Sequence, residues 1–173
     1  MFEQRGSDLS CMAQAGLLAY LLRIDERSGL GLAETALGWR SEKYCYQNLL
    51  GSLGWLQWSP GIEKLAIQHL SDDPRVAGNA AIVLSTHGSV EAEEALWKRF
   101  ADWAQEHADE AAELDRANEG YSSPLREPAI FERQLASALM NGMSWRLNPN
   151  RARRLDELCL TDMCRRLVTP FRN

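Results

Sequence analysis

The sequence predicts an all-α protein built as an array of stacked helical pairs, and three observations predict it. First, apolar residues recur at an interval of 31: Leu22, Leu53 and Leu84 share one register, as do Leu18, Leu49 and Ala80, then Ala19, Leu50 and Ala81, then Ala15, Tyr46 and Ala77. Leu65 and Leu96 repeat the interval. Self-similarity at roughly 20–50 residues marks stacked supersecondary units, each too small to bury its own apolar face. Second, within each period the apolar residues fall three and four apart, as on one side of a helix. Third, no stretch alternates with period two, and Asn141-Gly142 lies between helical patterns instead of strands.

The first pair opens with a helix expected over Leu9 to Arg23, capped by Asp8, with Met12, Ala15, Ala19 and Leu22 as its inward stripe. Asp25 to Gly29 breaks the pattern, and Leu30 to Trp39 resumes it with Leu30, Ala33 and Leu37. This second helix is one residue out of phase with its counterparts, so its connecting turn should be one residue shorter. In the second pair Ser41 is an acceptable cap, and Tyr46, Leu49, Leu50 and Leu53 supply the stripe. Ser59-Pro60 closes the turn and opens the next helix, because proline is tolerated where no N–H partner is needed. Ile62, Leu65, Ala66 and Leu70 then face inward.

The third pair starts at Asp72-Asp73-Pro74, a cap followed by a helix-starting proline, with Val76, Ala80, Ala81 and Leu84 as its stripe. Gly88 is expected to end that helix in a left-handed conformation. Ser89 caps the next, whose early glutamates Glu91, Glu93 and Glu94 suit the positive end of the helix dipole. From Val90 the pattern runs without a breaker to about Ala117, and its distal half, poor in large apolar residues, should pack weakly. Asn118 to Pro128 has the Gly, Ser and Pro content of a loop. The pattern returns 55 residues after the third pair, where Leu135, Ala136 and Leu139 echo Ala80, Ala81 and Leu84: one period plus 24 inserted residues. Pro149 opens a helix through Cys159 with Ala152, Leu155 and Leu158 inward. Thr161 caps a last one carrying Cys164, Leu167 and Val168, stopped by Pro170.

The whole chain, 1–173, thus reads as a single helical-repeat domain. Its repeats fall at about 8–40, 41–71, 72–117 and 128–160, with an insertion around 104–127 and a terminal helix at 161–169 that is either a cap or half of a further repeat.

The segment Leu70-Ser-Asp-Asp-Pro-Arg-Val-Ala-Gly-Asn-Ala-Ala-Ile-Val-Leu84, followed by Gly88 and Glu94-Ala-Leu96, resembles a HEAT-type repeat of the short bacterial kind. It carries that family's Asp-Pro at the start of the first helix, small-residue core and leucine near the end. The second pair matches more loosely, keeping Leu53-Gly-Trp-Leu56 but lacking Asp-Pro, and the first matches only in its apolar frame. The resemblance implies a right-handed α-α superhelix with an extended binding surface. It implies a scaffold or adaptor, and brings no common catalytic residues.

Composition bounds the rest. The hydrophobic fraction of 45% and charged fraction of 25% are those of a soluble globular protein. The longest uncharged apolar run, Ala15 to Leu22, is far short of the ~20 residues of a membrane-spanning helix. The N-terminus lacks a basic segment followed by an apolar one, so no signal peptide is expected and the cytoplasm is the expected location. The net charge of −5 argues against nucleic acid or anionic lipid as a partner. Charge is uneven, however: Glu91 to Glu119 holds ten acids against three bases, and Arg146 to Arg172 holds seven arginines against three acids. These stretches could pair within one molecule or between copies, which leaves self-association open.

No motif for chemistry stands out. His69, His87 and His107 have no metal-site spacing, and neither Gly29-Leu-Gly31 nor Gly51-Ser-Leu-Gly54 is a phosphate loop. Cys159 and Cys164 do not form a CxxC arrangement, so Cys11, Cys45, Cys159 and Cys164 are expected as small buried thiols, with disulfides open only to an exported chain. Among the tryptophans, Trp39, Trp55, Trp58, Trp97, Trp103 and Trp145, packing between layers is expected over partner contact. The expected function is a non-catalytic scaffold or adaptor for protein–protein interaction, without cofactor or metal, a module of a larger bacterial protein. Its candidate partner-binding residues are the second-helix positions Glu63, Lys64, Gln68, Glu94 and Lys98. The alternative is a nucleic-acid reader or DNA glycosylase-type enzyme on a HEAT-like frame, which needs a basic concave face that the tail arginines do not draw along the array.

Overall fold

The computed structural model describes residues 9–39, 45–120, 123–142 and 148–171, and those residues form helices and no strand. Ten α-helices follow in order: α1 Cys11–Ile24, α2 Glu26–Gly38, α3 Cys45–Leu56, α4 Pro60–Gln68, α5 Pro74–His87, α6 Val90–Glu106, α7 Ala111–Asn118, α8 Arg126–Asn141, α9 Pro149–Leu158 and α10 Asp162–Val168. The chain gathers into two compact units, Met1–Val83 and Leu84–Asn173.

In the first unit α1 packs against both α2 and α3, and α2 and α3 each pack against α4. Caps decide where these helices start. Ser10 accepts the Ala13 N–H, Ser59 accepts the Ile62 N–H ahead of Pro60, and Asp73 Oδ1 accepts the N–H groups of Arg75 and Val76. Asp8 and Ser41 lie outside the described residues. The break expected over Asp25 to Gly29 shrinks to Asp25 alone. It ends α1 and its carboxylate accepts from both the N–H and the hydroxyl of Ser28, so α2 begins at Glu26. The hydrogen-bonded carboxylate of Asp25 sits below the usual aspartate range, the Ser28 side chain contributing most.

The register positions fill the interior. Leu18, Leu49 and Ala80 are buried, as are Ala19, Leu50 and Ala81, and Leu22, Leu53 and Leu84. Tyr46 is half-buried, its hydroxyl accepting from Gln47 Nε2. Residues one period apart also meet. Asn79 Nδ2 donates to Asn48 Oδ1 at 3.4 Å across 31 residues, and beside it, across 28 residues, Arg75 donates to Gln47 Oε1 at 3.2 Å. One expected member of the α1 stripe fails: Met12 is 72% exposed, and the inward face is instead Gln14, Ala15, Leu18, Ala19 and Leu22.

The second unit departs further from expectation. The uninterrupted helix from Val90 ends at Glu106. His107 accepts the Glu110 N–H on its carbonyl, places its ring Nδ1 2.5 Å from Glu110 Oε2 and turns the chain through a 3-10 segment, Ala108–Glu110. The following α7 does not pack weakly: Leu114 and Ala117 are buried and α7 packs against α8. The loop is shorter than expected, because α7 runs through Asn118 and α8 takes Pro128 into its first turn, where the missing N–H costs no bond. Leu135, Ala136 and Leu139 are fully buried on α8, which packs against α6, α7 and α10. On α10 Cys164 and Val168 face inward but Leu167 is exposed. Gly88 follows α5 without a left-handed backbone. Gly120 alone among the described glycines has positive φ, and what Gly88 relieves is crowding: a Cβ there would overlap the Leu84 carbonyl and stand 2.6 Å from Ala92 Cβ.

Candidate functional site

Two places stand apart from ordinary core and surface. The first is the outward side of α1. Its buried face seats α2 and α3, yet the opposite face is also apolar: Met12, Ala13, Gly16, Leu17, Tyr20 and Ile24 are all exposed, with Tyr20 at 60% and Ile24 at 63%. Their spacings of three and four draw a second stripe down the same helix, interrupted by no charge before Arg23. A helix at a protein surface normally turns polar residues to water, as α6 does with Glu91, Glu94, Lys98, Gln105 and Glu106. Arg23 ties the far end of α1 to α3, its Nε donating to Gln57 Oε1 at 2.9 Å and its Nη2 to the Leu56 carbonyl at 3.4 Å. At that end Trp55, 78% exposed, and Leu56 are open to water as well.

The sequence-predicted positions fall on two helices, one in each unit. On α4 Lys64 and Gln68 are exposed one turn apart and Glu63 is half-buried. On α6 Glu94 is exposed, and Lys98 is exposed and paired with Asp102 at 2.6 Å. The tryptophans divide as well. Trp97 and Trp103 are buried in the second unit, Trp39 and Trp58 are half-buried, Trp55 is exposed, and Trp145 lies outside the described residues. Trp97 is part of a clasp. Its Nε1 donates to Glu93, Glu93 forms an ion pair with Arg151, and the Arg154 guanidinium stands 4.2 Å from the ring centroid.

The second place is a corner of the second unit around Glu132, which sequence reasoning missed. Glu132 projects from α8 among buried apolar residues and is itself fully buried. The turn between α9 and α10 wraps its carboxylate. The N–H groups of Leu160 and Thr161 donate to Oε1 at 2.7 and 3.1 Å, and the Thr161 hydroxyl donates to Oε2 at 2.5 Å. Thr161 also caps α10 by accepting the Cys164 N–H, and Asp115 on α7 accepts the Asp162 N–H at 2.8 Å. Burial raises the Glu132 carboxyl above the usual glutamate range and the nearby Asp115 charge pushes the same way, while the three donors oppose them.

The same turn carries two of the cysteines. All four, expected as thiols, are paired: Cys159 with Cys164 across the turn, and Cys11 with Cys45 between the first turns of α1 and α3. Cys159 Sγ, Cys164 Sγ and a Glu132 oxygen lie within 4.8 Å of one another, all buried, and they are the one such convergence of His, Cys, Asp or Glu ligand atoms among the described residues. Two of the three histidines instead meet carboxylates, His69 with Asp72 and Glu34, and His107 with Glu110.

No described helix is long and apolar enough to cross a membrane. No family model matches the chain, nor does any curated protein or solved structure.

Proposed function

We propose that the protein is a non-catalytic helical-repeat module of the HEAT type that binds a protein partner, and that the outward face of α1 takes an amphipathic helix of that partner. The observation that carries the reading is the second apolar stripe on α1. That helix already seats α3 on one side, and on the other it offers Ala13 and Gly16 for close backbone approach, flanked by Met12, Leu17, Tyr20 and Ile24. Stacked repeats bury each layer against the next, and a terminal layer needs a polar outer face to remain soluble by itself. An apolar outer face therefore favours a further helix laid over it. The contact one period apart, Asn48 with Asn79, and the neighbouring bond of Arg75 to Gln47 between the same two helices support a superhelical array as its frame. The reading keeps a cytoplasmic setting, in which both cysteine pairs would stand as dithiols.

Tyr20→Glu combined with Ile24→Glu removes the stripe without touching the core. In cross-linked lysates compared side by side, this variant is expected to lose at least about tenfold of the wild-type capture of a reproducible protein partner. Its helical circular dichroism and thermal midpoint should stay close to wild type. Lys64→Ala with Gln68→Ala tests the polar alternative on α4 and is expected to keep capture. Retention by the Tyr20/Ile24 variant, with loss on the α4 variant, would move the surface; retention by both would end the reading.

A further inference from the structure

Glu132 is a buried carboxylate that receives three hydrogen bonds yet forms no ion pair with a basic side chain among the described residues. A charge taken out of water normally needs a counter-charge as well as donors. What converges on it instead are two sulfurs. We propose that reduced Cys159 and Cys164, together with Glu132, form a site for a thiophilic divalent cation of the zinc kind.

The geometry suits that ion. The two Sγ atoms and the carboxylate oxygen lie mutually within 4.8 Å, so once reduction lets the sulfurs part, small side-chain rotations bring all three onto one cation with bonds of about 2.0–2.3 Å. A thiolate pair with one carboxylate selects zinc, cadmium or cobalt over magnesium and calcium, which favour all-oxygen shells. The outer shell is already in place. Leu160 and Thr161 N–H groups occupy Oε1 and the Thr161 hydroxyl occupies one lone pair of Oε2, which leaves the other Oε2 lone pair for the metal. Water or the Thr161 hydroxyl oxygen completes a four-coordinate shell. Three anionic ligands around a dication leave one net negative charge, which the same donors face.

Oxidation state decides whether the site exists, because the sulfurs are bonded to each other in the disulfide. A dithiol reductant breaks that bond, delivering two electrons and two protons to give two thiols while it closes its own disulfide. Metal binding then releases both thiol protons to solvent.

Cobalt(II) alone is the probe. Added to the full chain after reduction and removal of the reductant under anaerobic conditions, it is expected to give a sulfur-to-cobalt charge-transfer band that saturates at one equivalent and is displaced by zinc. The untreated disulfide form should give none. Cys159→Ser and Cys164→Ser should each abolish the band, the Cys11→Ser/Cys45→Ser double variant should keep it, and Glu132→Gln should weaken cobalt binding by more than about tenfold. Circular dichroism of every variant checks folding. A reduced wild type without the band, a band that persists in Cys159→Ser, or unchanged affinity in a folded Glu132→Gln would each overturn the site. None of these outcomes depends on the α1 face.

Discussion

Glu132→Ala is expected to destabilise the disulfide-bonded protein by about 3–5 kcal/mol, whereas Glu132→Gln should cost only about 1 kcal/mol at neutral pH. Alanine removes the acceptor for two buried N–H groups and one hydroxyl at once. Each abandoned donor costs about 1–3 kcal/mol, partly offset because a carboxylate no longer has to be desolvated. The damage spreads along the chain, since the same two residues start α10 and Thr161 is its cap. Glutamine keeps an oxygen for the Leu160 and Thr161 N–H groups and loses only the match to the hydroxyl. Urea denaturation of the three proteins, with both disulfides intact, measures the ranking. Equal losses for alanine and glutamine would mean that charge, not hydrogen bonding, holds this corner.

Glu132 also sets a pH dependence whose sign follows from its raised carboxyl. The folded protein keeps a proton on Glu132 at pH values where the unfolded chain has released it. Its contribution is therefore fully present below the ordinary glutamate range and is lost as pH rises through the elevated folded value. The stability of wild type minus that of Glu132→Gln should fall across that window on going from acid to neutral. A flat difference would show that the three donors, which lower the carboxyl, cancel the effect of burial, and a rising one that they outweigh it.

What could be read from the chain and what could not divide along physical lines. The recurring leucines were legible because burial on a helix depends on spacing alone, and Leu22, Leu53 and Leu84 are inside. Caps at Asp73, Ser89 and Thr161 were legible because a short polar side chain before a helix acts on N–H groups two or three residues away. The facing of α1 was legible at Ala15, Leu18, Ala19 and Leu22 but not at Met12, because that helix is apolar on both sides and only its neighbours decide that Met12 stays out. The end of α6 at His107 has no glycine or proline to mark it and depends on the contact with Glu110. Pairing of Cys11 with Cys45 needs a fold that brings residues 34 apart together. Glu132 did leave a trace: it stands three and four residues before Leu135 and Ala136, a charge on the inward stripe of its own helix.

Gly54→Ala should cost about 3 kcal/mol in the wild type and close to nothing once Val83 is also alanine, a reversal that tests how α3 and α5 lie against each other in the first unit. A Cβ built on Gly54 overlaps Val83 Cγ2 and comes within 3.1 Å of Val83 Cβ, and both residues are buried. Overfilling a packed contact of this kind costs about 1–3 kcal/mol, more when the obstacle is branched and close to its own backbone. Val83→Ala alone creates a small cavity and should cost about 1–2 kcal/mol. In that background the new methyl has only the Val83-derived Cβ to displace by a few tenths of an ångström, and alanine gains up to about 1 kcal/mol over glycine as a helix former. The double variant should thus be more stable than Gly54→Ala alone, with a coupling of about 2 kcal/mol or more between the two sites. Additive losses measured by thermal and urea denaturation would mean that α5 does not cross α3 at Gly54. The side-chain pairing of Asn48 with Asn79, between the same two helices, would then lose its frame too, and with it the support for a repeat that stacks every 31 residues.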